Sequence, residues 1–157
     1  MARVLRRLHR AGITRGFVLV APSELARQPL IELPDGGNPA HQARWWSALC
    51  DLITTQTGLS VVLVDAADGG PDAQRVLDGA RDREKMAVLE DVTHAERSAL
   101  LEISRGVCTG DRELLTEAGV LDAPTCEPWQ VQMAIRSQTA SDLFASMAWS
   151  GVLAASA

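Results

Sequence analysis

Apolar positions fall in short, well-punctuated runs along this chain. Val4, Leu5, Leu8 and Ala11 share one helical face, with arginines on the other. Gly12 follows as a stop, so the spacing predicts a helix over 2–11. Phe17-Val18-Leu19-Val20 is a continuous apolar run between Gly16 and Pro22 and reads as a buried strand. Ser23 is placed to cap a short helical turn over 23–28. Residues 30–33 read as a second short strand, closed by the turn signal Pro34-Asp35-Gly36-Gly37.

The clearest local signal follows. Asn38 is an N-cap, and Pro39 stands at the first helical position, where its missing N–H costs nothing. Trp45, Ala48, Leu49, Leu52 and Ile53 then recur at helical spacing up to Gly58. A strand over 60–65 contains Val61-Val62-Leu63-Val64 without polar alternation, the pattern of a strand covered on both faces. Residues 72–83 read as helix. Residues 86–89 read either as a further strand or as a continuation of that helix. Thr93-His94-Ala95-Glu96 fits a capping box, in which the threonine oxygen and the glutamate each satisfy an otherwise unpaired N–H. It opens a helix over 94–105, ended by Gly106. A short helix over 111–118 and one or two helices over 127–148 complete the chain.

This order predicts an α/β or α+β chain. A mostly parallel sheet of three to four strands occupies residues 1–92, flanked by helices, and an all-helical part occupies 93–157. No long linker separates the parts, so one compact domain over 1–157 is expected. At 157 residues the chain is long enough to build its own core.

Composition narrows the classes. Hydrophobic residues make up 46% and charged residues 22%, which excludes general disorder. A single lysine, Lys85, stands beside many arginines and no tyrosine, a bias typical of GC-rich bacterial coding. The formal net charge is −5, so nucleic acid is not an expected partner. Charge is uneven, however. Arg3, Arg6, Arg7, Arg10 and Arg15 crowd the N-terminus without an acid among them, and the acids follow later. This leaves a helix packed on its own acidic body, or a basic arm. Cys50, Cys108 and Cys126 are widely spaced and form no C-x-x-C pair, so neither a disulfide framework nor a zinc site is expected. The N-terminus lacks the apolar core of a secretory signal. The longest uncharged stretch, 143–157, is shorter than the ~20 residues a membrane span needs. A soluble cytoplasmic protein is the expectation.

Candidate chemistry is sparse. The phosphate-cradling glycine motifs and the G-x-S-x-G elbow are absent. Asp65 and Asp68 lie just past the strongest strand, where α/β sheets bind ligands and where a carboxylate is placed to act as a base. His41 and His94 stand in first turns of helices and are the remaining acid–base candidates. Cys108 precedes a helix start, where a dipole lowers a thiol pKa. Residues 113–120 resemble the opening of a helix-turn-helix unit, but the prolines and acids that follow argue against DNA reading.

Apolar surface is the stronger signal. Trp45 shares the helical stripe and is expected in the core, whereas Trp46 lies off it and is a candidate interface anchor. After Arg136 the only charge is Asp142. Phe144, Met147, Trp149 and Val152 cover more than one helical face and must be buried against something. The leading expectation is therefore a non-catalytic interaction or regulatory protein, a homodimer or bound to a protein partner. It needs no cofactor or metal. The alternatives are a small α/β enzyme using Asp65 and Asp68, and a nucleic-acid accessory protein using the basic arm.

Overall fold

A computed structural model describes residues 1–25, 38–67, 69–128 and 130. The elements in chain order are α1 (Ala2–Arg10), β1 (Phe17–Ala21), α2 (Pro39–Thr57), β2 (Ser60–Leu63), α3 (Ala73–Gly79), β3 (Met86–Val88), α4 (His94–Ile103), β4 (Gly106–Thr109), α5 (Arg112–Val120) and β5 (Thr125–Cys126). One turn of 3-10 helix, Arg83–Lys85, leads into β3.

The five strands form one parallel sheet in the order β3-β2-β1-β4-β5. Val18 pairs with Val61 on one side and Gly106 on the other. The unbroken apolar runs are explained by two cores, one on each face. Val18, Val20, Val61 and Leu63 point into a layer closed by α2 and α3. Phe17, Leu19, Val62 and Val64 point into the opposite layer with residues of α1, α4 and α5. A strand covered on both faces has no position at which a polar side chain is favoured.

Local signals fix most helix starts. Asn38, Asp72, Thr93 and Asp111 each accept a backbone N–H at the head of α2, α3, α4 and α5. The capping box at Thr93 and Glu96 forms in full. Gly58 closes α2 at φ +69°, a conformation that glycine adopts without a Cβ clash.

Three expectations change. The sheet has five strands, and β4 and β5 lie within the part expected to be all helical. Gly106 begins a strand instead of merely ending a helix. The apolar core of β4 is only Val107-Cys108, too short to stand out, and its strand character comes from pairing with β1 and β5. In the ambiguous segment over 86–89, Met86–Val88 is strand.

The third change concerns α2. Leu49 and Ile53 of the expected stripe are buried, but Trp45 and Leu52 are only partly so and Ala48 is exposed, and the buried face is completed by Ala43, Trp46, Ser47, Cys50 and Thr54. Trp46 is fully buried and Trp45 only half-buried. Trp46 is thus a core residue and presents no surface to a partner. The indole settles the rotation, because its N–H reaches the Ser23 carbonyl at 3.1 Å. The strand expected over 30–33 and the helices beyond residue 130 lie outside the described residues. Among the described residues, no helix is long and apolar enough to cross a membrane.

Candidate functional site

In an open parallel sheet, the order of strands reverses at one point, and the loops there part to either side. Here that point lies between β1 and β4. The chain leaves β1 toward α2 on one face and leaves β4 toward α5 on the other. The segments Pro22-Ser23 and Gly110-Asp111 therefore meet beyond the carboxyl ends of the two strands.

These segments are bound to one another. Thr109 Oγ1 donates to the Ala21 carbonyl at 2.8 Å, and the Gly110 N–H donates to Ser23 Oγ at 2.8 Å. Asp111 Oδ1 accepts from Glu113 N at 3.0 Å, and its Oδ2 accepts from Ala67 N at 2.8 Å. One carboxylate thus caps α5 and fastens the loop after β2. On the β1 side, Gln42 Oε1 accepts the Leu25 N–H at 3.0 Å. Gly70 lies against this knot so closely that a Cβ there would stand 2.2 Å from the Pro22 carbonyl oxygen. Ser23, Gln42, Thr109 and Asp111 are all buried.

The sequence candidates are distributed around this edge and do not converge. Asp65 is exposed just past β2, and its Oδ1 accepts the Ala73 N–H at 2.9 Å, at the head of α3. It lines a cleft of about 230 Å³ with Val64, Leu89, Asp91, Val92 and Arg97. His41 stands in the first turn of α2 and His94 at the first position of α4, on opposite faces of the sheet. His94 is exposed, and its Nδ1 lies 3.2 Å from Arg97 Nη2. Arg97 is held between Glu113 and Glu117, both at 2.9 Å. Burial disfavours its charge, but the two carboxylates outweigh burial and raise its pKa. Asp68, Phe144, Met147, Trp149 and Val152 lie outside the described residues.

The three cysteines, far apart in sequence, gather in one core layer. Cys108 and Cys126 are register partners on adjacent strands. Cys108 is in β4, not at a helix head, so no dipole activates it. Burial, then contact with Cys126 and Cys50, pushes its pKa well up. Burial also raises Cys50, with Asp51 adding to it. Cys50 and Cys108 thus stay protonated, and all three cysteines serve as small core residues. Among the described residues, no group of three or more His, Cys, Asp or Glu side chains is placed to hold a metal ion.

The buried polar residues of the site, Ser23, Gln42, Thr109 and Asp111, are absent from the sequence-based set. Ser23 figures in the sequence reading only as the cap of a short turn, and Asp111 only as the start of a short helix. No known protein family, characterised protein or solved structure matches this chain.

Proposed function

We propose that this chain is a non-catalytic interaction or regulatory protein, whose sheet edge is a fixed frame and whose apolar helical surface docks a second copy or a protein partner. The observation that carries this reading is the commitment of the edge carboxylates. Both oxygens of Asp111 accept backbone N–H groups, and Asp65 holds the head of α3. A general base needs a lone pair directed at substrate, and a nucleophile needs such a base beside it. The docking surface is supported by the sequence pattern alone, through Phe144, Met147, Trp149 and Val152. Light scattering of the full chain across a concentration series tests it. A dimer is expected, and F144S/W149S should yield a monomer with an unchanged circular dichroism spectrum. A wild-type monomer at high concentration refutes the self-association.

A second reading has one observation in its favour. Asp65 keeps one oxygen without a partner among the described residues and lines the cleft beside Asp91 and Arg97. Under that reading the chain is a small α/β enzyme using Asp65, with Asp68 nearby in sequence. D65N separates the two, since it would abolish turnover in an enzyme and leave assembly unchanged in a docking protein.

A further inference from the structure

Helix α1 repeats arginine at positions 3, 6, 7 and 10, which places four guanidinium groups on one face, within an arc of about 100°. The opposite face, through Val4 and Leu8, is buried in the core. The basic segment is therefore a docked helix and not a free arm. Its arginine face forms one wall of a groove of about 630 Å³, with Glu90 and Asp91 on the facing turn.

Arg7 is fixed in place by hydrogen bonds, and Arg3 is paired by charge alone. Arg3 Nε lies 3.0 Å and Arg7 Nη1 3.2 Å from the carboxylate of Glu96, which is buried in α4. Arg7 also donates to the Glu90 carbonyl. The guanidinium groups of Arg6 and Arg10 are exposed and have no partner among the described residues. The wall thus offers two unsatisfied planar forks, Arg6 and Arg10, beside the exposed Arg3 and the immobilised Arg7, over about 10 Å of helix. A guanidinium fork matches phosphate oxygens two at a time, and an ammonium does not.

We propose that this groove binds a compact polyphosphate that also carries hydrogen-bond donors, the chemistry of a nucleoside polyphosphate. Its phosphates lie on Arg6 and Arg10, supported by Arg3. Its hydroxyl or amino groups face the carboxylates of Glu90 and Asp91. The mixed lining decides between ligands. A groove of guanidinium groups alone would favour any polyanion, but two carboxylates on the facing wall repel a continuous phosphodiester chain. Beyond its first sixteen residues the chain is also strongly acidic, so a polymer leaving the groove meets repulsion. The volume falls in the range that small-molecule sites occupy. This binding stands apart from the docking proposed above and does not depend on it.

Titration calorimetry of the full chain tests the proposal, using ATP, sodium tripolyphosphate and a single-stranded RNA oligomer, without magnesium and at about 0.15 M ionic strength. Saturable ATP binding is expected, weakened at least tenfold in R6A/R10A. Both side chains are exposed, so the thermal midpoint should not move. Tripolyphosphate should bind several-fold more weakly than ATP, and E90Q/D91N should narrow that gap. Absence of saturable ATP binding, indifference to R6A/R10A, tripolyphosphate binding as tight as ATP, or RNA binding tighter than ATP would each overturn it.

Discussion

Trp46 has the largest side chain among the fully buried residues. It fills the layer between α2 and the sheet, stands edge-on to Trp45 with ring centroids 5.2 Å apart, and donates to the Ser23 carbonyl. Its removal creates a cavity and leaves that carbonyl without its partner. W46A is expected to cost about 3–5 kcal/mol in urea unfolding. W46F keeps much of the volume but loses the N–H and part of the bicyclic ring, so a smaller cost of about 1–3 kcal/mol is expected. Equal costs for the two variants would show that packing contributes little. The sequence placed this tryptophan on the outside because apolar residues alone were counted in the stripe. Gln42, Ser47 and Thr54 share the buried face of α2, each with a hydrogen-bond partner. Satisfied polar groups are tolerated in a core, and sequence pattern cannot see the partner.

At the scale of elements, α1 is joined to α4 by chemistry as well as by packing. Glu96 accepts the Thr93 N–H at 2.9 Å and is paired with Arg7 and Arg3. Its Oε1 meets only the charge of Arg3, without hydrogen-bond geometry. The Thr93 N–H is the main cause that holds its pKa below the ordinary 4.5, opposed by burial and aided by Arg7. A carboxyl whose pKa is lowered by folding stabilises the fold fully above its unfolded pKa. That contribution fades as pH falls through the lower folded value. Wild type should therefore lose stability below about pH 4.5 more steeply than E96Q, and urea midpoints at pH 7 and pH 3 measure the difference. Parallel pH profiles for the two proteins would refute the clamp. The capping box was legible in the sequence because its two residues are three apart. The arginines that complete the clamp are about ninety residues away and left no local trace.

For the whole molecule, the strand order makes Ala67 and Gly70 neighbours of residues 22–23 and 110–111. Asp111 is the tie among them, since it holds the loop after β2 and the head of α5 together. D111A removes an N-cap and orphans a second N–H, so a loss of about 2–4 kcal/mol is expected. D111N keeps one acceptor oxygen and should lose less. Hydrogen exchange at Ala67 should accelerate in both variants. Protection unchanged at Ala67 would mean that the loop is held by other contacts.

Several features of this protein were settled by local sequence. They are the helix caps at Asn38 and Thr93, the helix starts near Asp72 and Asp111, the strand character of residues 17–20 and 60–63, and the parallel, doubly covered sheet implied by their unbroken apolar runs. Each depends on residues within one or two turns of one another. Tertiary structure alone decided that Gly106–Thr109 and Thr125–Cys126 become strands, which face of α2 is buried, and that Glu96 anchors the arginine helix. Those outcomes rest on partners many tens of residues distant, supplied by the sheet and the packed helices.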